Sequence, residues 1–202
     1  MLDFQRNCGL KLVKDLVEGD SNLSRIYGFI LYTEQDPYVA KVLRDDDLWN
    51  ALDSISGVNW PIFAARPLSK GSYVNPYRSE CMHYMVPTWN EPSRNMPVLL
   101  DFGLKNTENL PLFIAFMWDD NDELNQVAIP ITGRTVDDVY HSIEEIVKAI
   151  TKAENAVEPK YKRTVNVFRN IVSELDALKF KHMVQQRGKI DYRIYEFLSM
   201  FV

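Results

Sequence analysis

The feature that most constrains this chain is an apolar run that changes into a helical pattern within residues 26–41. The run reads IYGFILYT and is followed by EQDPY at residues 34–38. β-Branched and aromatic residues without clean polar alternation are typical of a strand buried on both faces. Pro37 suits the first turn of a helix, because its missing N–H would have no intrahelical partner there. We therefore predict a buried strand over residues 25–33 that leads into a helix beginning at Pro37.

Apolar residues recur at helical spacing from Pro37 as far as residue 55, and a second short apolar run covers residues 60–65. A strand–helix–strand unit of this length is typical of two parallel strands joined by a right-handed crossover. The sequence therefore predicts one helix over residues 37–55 between two parallel strands.

Two more strands are predicted over residues 111–118 and 125–131, joined by a polar turn. Pro130 favours an edge position for the second of them, because proline cannot donate to a ladder of hydrogen bonds. Thr135 is followed three residues later by Asp138, a spacing close to that of a capping box. The Thr135–Asp138 spacing predicts the start of a long helix directly after the hairpin.

The remaining segments of the first 156 residues have weaker patterns. Residues 4–18 carry apolar side chains at helical spacing and predict an N-terminal helix. Residues 66–97 are rich in Pro, Tyr, Asn and Ser without a period and predict an irregular insertion, with a short strand at 80–86. Residues 98–104 predict a short helix or turn.

The chain is predicted to consist of an α/β domain over residues 1–156 and a helical extension over residues 157–202. An amphipathic helix is expected over residues 160–186, with a break at Gly188. The terminal segment, residues 190–202, carries large apolar residues at helical spacing. It either packs on its own domain or docks into a partner.

Composition excludes several classes of protein. The two cysteines, Cys8 and Cys81, are far apart and in no ligand spacing, so we expect a reduced protein without a disulfide framework. Charges interrupt the first twenty residues, unlike a signal peptide, and no apolar run approaches the roughly 18 residues that cross a bilayer. We expect a cytoplasmic protein with no membrane contact, and no motif indicates a cofactor or a resident metal.

The net charge of −5 conceals an uneven distribution of charge. Residues 101–145 contain ten acidic and two basic residues, whereas residues 158–196 contain nine basic and five acidic residues. Such asymmetry favours docking between unlike surfaces, within the chain or with a partner. Two solvated faces would explain the same pattern.

Two local motifs resemble the thioredoxin-like superfamily. The stretch YTEQDPYVAK at residues 32–41 is similar to the strand-to-helix turn that carries Cys-Pro-Tyr-Cys in glutaredoxin-type members, with Asp36 and Val39 at the two cysteine positions. The FGL stretch at residues 102–104, followed by Leu110-Pro111 and an apolar strand, resembles the segment in which a cis-proline precedes the third strand of that family.

The resemblance covers about residues 24–152 and implies an α/β fold with a thioredoxin-like mixed sheet in the order β-α-β, then β-β-α. An N-terminal helix and a helical C-terminal extension would be added to it. The chain departs from the family by lacking both cysteines and by its long connection between the second and third strands.

Without a thiolate the turn cannot perform dithiol exchange. What the resemblance leaves is a groove beside the cis-proline, where an extended peptide can pair with exposed backbone. The sequence therefore favours a non-redox interaction subunit or adaptor, whose partner is another protein or a second copy of the chain. The predicted partner-binding residues are Asp36, Pro37, Tyr38, Leu110 and Pro111 in the groove, with Phe197 and Phe201 in the terminal segment.

Two other functions stay open. Glu34, Asp36 and Asp101 are the acids nearest the predicted strand ends, where open α/β sheets gather ligands, and could serve a metal-dependent hydrolase. The basic helix over residues 160–189 could follow a nucleic-acid backbone. The acidic run at residues 119–123 could hold a divalent cation, but Asp and Asn are equally typical of a hairpin turn.

Overall fold

The structure is a computed structural model that describes residues 10, 14, 26–33, 35–56, 60–65, 85–89, 95–104, 110–157 and 164–199. Within these ranges the backbone alone is described for residues 56, 65, 85–89, 95–97, 164 and 183–199. The described part has a mixed α/β fold in which helices cover both faces of one sheet.

The sheet has five described strands in the spatial order β3-β2-β1-β4-β5. β1, β2 and β3 are parallel, whereas β4 is antiparallel to both β1 and β5. The parallel strand pair and the hairpin predicted from the sequence are therefore confirmed, and β5 lies at the edge. The bounds are β1 Ile26–Leu31, β2 Ile62–Ala65, β3 Met85–Trp89, β4 Leu112–Trp118 and β5 Leu124–Pro130.

Five described helices pack on the two faces of this sheet. Their bounds are α1 Pro37–Arg44, α2 Asp46–Ser56, α3 Asn95–Asp101, α4 Val136–Asn155 and α5 Thr164–Ser199. One apolar cluster joins α1, α2, α4 and α5 to the first face, and a second joins α3 and Leu10 to the other. Ile30 of β1 belongs to the first cluster and Phe29 to the second, since side chains of a strand alternate. β1 is buried on both faces, as predicted.

The single helix predicted over residues 37–55 is wrong, because the chain forms two helices that meet at Asp45. The backbone of Asp45 is extended, with a ψ of 120°, and its N–H donates to Lys41 O at the end of α1. Its carboxylate then accepts from the N–H groups of Asp47 and Leu48 at 3.0 and 3.1 Å. Asp is a strong N-cap residue, and this one begins α2. The apolar stripe continues across the break and so conceals it.

The helical extension also differs from its prediction. Helix α5 runs without interruption from Thr164 to Ser199, so the expected break at Gly188 is wrong. A lone glycine inside a helix costs only about 1 kcal/mol relative to alanine, and no proline follows it. The segment from residue 190 to Ser199 is therefore the end of the same helix, while residues 200–202 lie outside the described part.

Helices α4 and α5 pack side by side and run in opposite directions. Lys152 Nζ lies 2.8 Å from Glu174 Oε1, and Lys181 Nζ lies 2.8 Å from Glu145 Oε1, so later residues of α5 meet earlier residues of α4. His182 Nε2 lies 3.2 Å from the other oxygen of Glu145. Part of the predicted docking between unlike charges thus occurs within the chain.

The start of α4 agrees with its prediction in detail. Thr135 Oγ1 accepts a hydrogen bond from the N–H of Asp138 at 3.1 Å, and the Asp138 carboxylate accepts one from the N–H of Arg134. The first bond satisfies a first-turn N–H that has no intrahelical partner, and the second holds the chain that leads into the N-cap.

The other predicted segments are described only in part. Leu10 and Lys14 are helical, and the rest of residues 4–18 lies outside the described residues. Within the predicted insertion at 66–97, the described strand is Met85–Trp89, which shares residues 85 and 86 with the strand predicted at 80–86, and residues 80–84 lie outside the described part. The short helix predicted at 98–104 lies at Asn95–Asp101. Among the described residues, no helix has the length and apolarity required to cross a membrane.

Candidate functional site

The strand-to-helix turn and the Leu110–Pro111 segment meet at one end of the sheet. Leu31, the last residue of β1, pairs with Leu112, the first residue of β4, so the segments that continue from them leave the sheet together. The Leu110–Pro111 peptide bond is cis, as the resemblance implied. We call the residues gathered here, Thr33, Gln35, Asp36, Pro37, Tyr38, Leu110 and Pro111, the turn–proline surface.

The carboxylate of Asp36 is used to hold the turn. Its Oδ2 accepts hydrogen bonds from the backbone N–H and the hydroxyl of Thr33, at 2.7 and 2.9 Å. The Asp36 N–H donates in return to Thr33 O at 3.0 Å. The side chain makes no capping bond to α1, although Asp36 stands at its N-cap position. A carboxylate fixed in this way orders the backbone of the turn.

Among the other residues of the turn, Val39 is buried, whereas Gln35, Pro37 and Tyr38 are exposed. Val39, at the second cysteine position of the resemblance, is 2% exposed and packs in the first cluster. Pro37 and Tyr38 are exposed, and Lys41 Nζ lies 5.9 Å from the centroid of the Tyr38 ring. The turn therefore presents an apolar, aromatic surface to its surroundings.

Leu110 lies at the same end of the sheet as the turn, and its side chain packs against the second cluster. Among the described residues, neither its N–H nor its C=O has a hydrogen-bond partner. The next residue differs, since Pro111 O accepts from the N–H of Ile131 at 2.9 Å. The ladder of β4 therefore begins at Pro111 and leaves one peptide position open before it.

The residue that precedes the turn, Tyr32, is fully buried. Tyr32 is buried in the first cluster, and this burial raises the pKa of its hydroxyl above the usual range. The Arg44 guanidinium opposes that rise in the pKa, and the nearby Asp36 charge adds to it. A buried tyrosine whose pKa is raised in this way stays protonated at neutral pH, so Tyr32 contributes to the packing of the core and not as a general base.

The three acids of the hydrolase hypothesis do not converge among the described residues. Asp101 ends α3 on the opposite face of the sheet from α1, and its Oδ2 accepts from the N–H of Leu10 at 2.7 Å. Asp36 is bonded to Thr33, and Glu34 lies outside the described residues. Within the described part of the chain, no three His, Cys, Asp or Glu side chains are placed to hold a metal ion.

The acidic run at residues 119–123 forms the turn between β4 and β5. One oxygen of Asp119 accepts from the N–H groups of Asn121 and Glu123, at 2.9 and 3.0 Å. The hydrogen bond from the Glu123 N–H is the main cause that lowers the pKa of Asp119. This geometry is that of a hairpin turn, the alternative given above to a cation site.

The residues predicted for the other sites are described only in part. Of the basic residues in 160–189, Lys179 pairs with Asp176 and Lys181 with Glu145, whereas Arg169 is exposed. Phe197 lies in the backbone of α5, its side chain is outside the described part, and so is the whole of Phe201. Nucleic-acid binding stays a prediction.

Sequence reasoning missed two residues that the structure makes prominent. Thr33 orders the Asp36 carboxylate, and the three-residue spacing between them, the same as in a capping box, is the signal that could have found it. Phe180 of α5 is 66% exposed, the largest exposed fraction among the large apolar side chains described. Its position away from the buried line of α5 was readable from helical spacing.

Comparison of the chain with family models, curated proteins and solved structures found no match.

Proposed function

We propose that this protein is a non-redox interaction subunit or adaptor that binds an extended segment of a protein partner at the turn–proline surface. The observation that carries the proposal is that the Leu110 backbone has no hydrogen-bond partner among the described residues, at the same end of the sheet as the exposed side chains of Pro37 and Tyr38. An extended peptide gains affinity from hydrogen bonds to such backbone and specificity from nearby side chains.

We further propose that the core is thioredoxin-like. Support comes from the order of the described elements, in which β1 and β2 are parallel and are joined through α1 and α2. The antiparallel pair of β4 and β5, followed by α4, agrees with the second half of the order that the resemblance implies. Both motifs of the resemblance fall at the same end of the sheet.

The chemistry of the turn supports binding in preference to catalysis. The two positions that carry sulfur in the family hold a carboxylate bonded to Thr33 and a valine buried in the core. Neither can act as the nucleophile or the resolving group of a thiol exchange. The exposed side chains of the turn, Gln35, Pro37 and Tyr38, are suited to contact and not to proton or electron transfer.

The experiment is selection from a displayed library of random peptides against the full chain, followed by hydrogen exchange. We expect the Leu110 amide to exchange readily in the free protein and to be protected by the enriched peptides. Tyr38→Asp should weaken binding about tenfold, since the loss of an aromatic contact in an interface costs about 1–2 kcal/mol. The matched control is Leu100→Asp, because Leu100 is exposed on α3 at the opposite face and should not affect binding.

Two results would contradict the proposal. One is a selection that enriches no peptide. The other is a set of binders that leave the Leu110 amide unprotected and bind the Tyr38→Asp variant as well as the wild type.

A further inference from the structure

Helix α5 has two apolar lines, and the first packs against its own domain. Phe168, Ile171 and Leu175 are buried in the first cluster, with Leu178 partly buried against it. His182 continues this line and meets Glu145 of α4. Because these residues are spaced by three and four, they lie on one face of the helix.

The second line begins at Phe180, two residues away from the first line, and repeats regularly towards the end of α5. Steps of four and three residues alternate along it without exception, as in a heptad repeat. Its members are Phe180, Val184, Arg187, Asp191, Ile194 and Leu198. Four of these six positions are apolar, and the two charged ones stand in the middle.

The two lines lie on nearly opposite faces of α5. At about 100° per residue, the mean direction of the second line is about 160° from that of the first. The exposure of Phe180 agrees with this placement. Its side chain is 66% exposed, although the chain positions on either side of it include the buried Leu175 and His182, which contacts Glu145. Because α5 is unbroken, the positions of the second line lie on the face of the helix opposite to the face that packs on α4.

The order of residues in the second line is symmetric about residue 189. When a second copy of the helix runs in the opposite direction, Phe180 comes opposite Leu198 and Val184 opposite Ile194. Arg187 then comes opposite Asp191 of the second copy, and Asp191 opposite its Arg187. Each apolar position meets an apolar one and each charge meets its opposite, which is the self-complementarity that a two-fold interface requires.

We propose that the second line of α5 is the dimer interface of this protein, and that its occupant is the α5 helix of a second copy in antiparallel orientation. This inference goes beyond the proposed function, and it names a second copy of the chain as the partner of α5. The central Arg187–Asp191 pairs set the register, as polar residues do at core positions of other helix pairs. Parallel pairing would instead place Arg187 against Arg187.

The test measures the mass of the full chain by sedimentation over a range of concentrations. We expect a concentration-dependent rise from 23.5 kDa to twice that mass. Phe180→Asp should raise the dissociation constant about tenfold or more, because it places a charge in the apolar seam. Leu100→Asp is the matched control, since Leu100 is 61% exposed on another helix and should leave the dimer unchanged.

Charge exchange tests the orientation. Arg187→Asp alone and Asp191→Arg alone should each weaken self-association, because like charges then meet across the seam. An equimolar mixture of the two variants should dimerise again, since each Asp of one chain meets an Arg of the other. A pairing within one helix cannot produce this rescue, because each variant carries only like charges at the two positions.

A wild-type chain that stays monomeric at every concentration overturns the inference, and so does a dimer that Phe180→Asp leaves intact. Absence of rescue in the mixture overturns the antiparallel register. A monomer that binds a different protein through Phe180 overturns self-pairing as well. Peptide binding at the turn–proline surface is measured separately in the Phe180→Asp variant, so that failure of the dimer and failure of the proposed function are distinguishable.

Discussion

Removal of the Asp36 carboxylate separates a structural role from a catalytic one. In Asp36→Ala the N–H and the hydroxyl of Thr33 lose the oxygen to which both donate, at 2.7 and 2.9 Å. The Asp36→Asn variant keeps an oxygen at the same place and removes only the charge. The hydrolase hypothesis requires the opposite pattern, in which Asn abolishes an activity and leaves stability unchanged.

The magnitude follows from these two bonds. A hydrogen bond to a charged acceptor contributes about 1.5–3 kcal/mol, and the half-buried position of Asp36 favours the low end for each, so Asp36→Ala should cost about 2–3 kcal/mol. Charge-assisted bonds are about twice as strong as neutral ones, so Asp36→Asn should cost about 1 kcal/mol. For a chain of this size, 1 kcal/mol lowers Tm by about 2–4 °C.

Urea unfolding and thermal melting of both variants test this order, with Asp176→Ala as the control. Asp176 pairs with Lys179 at an exposed site, and its removal should change stability by no more than about 0.5 kcal/mol. If Asp36→Ala unfolds at the same denaturant concentration as the wild type, the two bonds do not hold the turn and the reasoning is refuted. An activity lost in Asp36→Asn at full stability would favour the hydrolase.

Two further predictions concern the core and the α4–α5 contact. Gly28→Ala should destabilise the fold by about 1–3 kcal/mol, because the new Cβ would lie 2.7 Å from Phe113 Cζ and 2.9 Å from Trp60 Cζ3 in a filled core; an unchanged Tm would contradict this packing. The hydrogen bond from Lys181, with one from His182, lowers the pKa of Glu145. The stability that ionised Glu145 contributes to the fold is therefore complete above the ordinary glutamate pKa of about 4.3, and it is lost as the pH falls through the lowered value. Urea unfolding should therefore show a deficit of Glu145→Gln against the wild type at neutral pH that disappears in acid, and a deficit independent of pH would exclude this linkage.

The strands could be predicted because their residues leave few alternatives. Six consecutive apolar residues in β1 fit a central strand covered on both faces, and Pro130 fits an edge strand. The start of α4 was equally readable, since Thr135 and Asp138 form local hydrogen bonds that depend on little else. Such features are determined by residues close in sequence.

The errors lie at positions whose local effect on the backbone is not visible in the apolar periodicity. Asp45 ends one helix and begins the next, but the apolar stripe that α1 and α2 turn to the core runs across it, and only the caps reveal the break. At Gly188 the error was to predict a break, although one glycine is not enough to end a helix that continues on both sides of it. The use of the Asp36 carboxylate depends on which way one side chain turns, towards α1 or back to Thr33, and no periodicity reports it.

The opposite directions of α4 and α5 bring the last turns of α5 to the end of the sheet that holds the turn–proline surface. β5 ends beside the start of β4, at the end of the sheet where Leu110 and Tyr38 are found, and α4 begins there and runs away from it. α5 returns along α4, so its last turns point past that same end. The two proposed contact surfaces, the turn–proline surface and the second line of α5, are therefore neighbours. Contact of a second copy at one of them would raise its local concentration at the other.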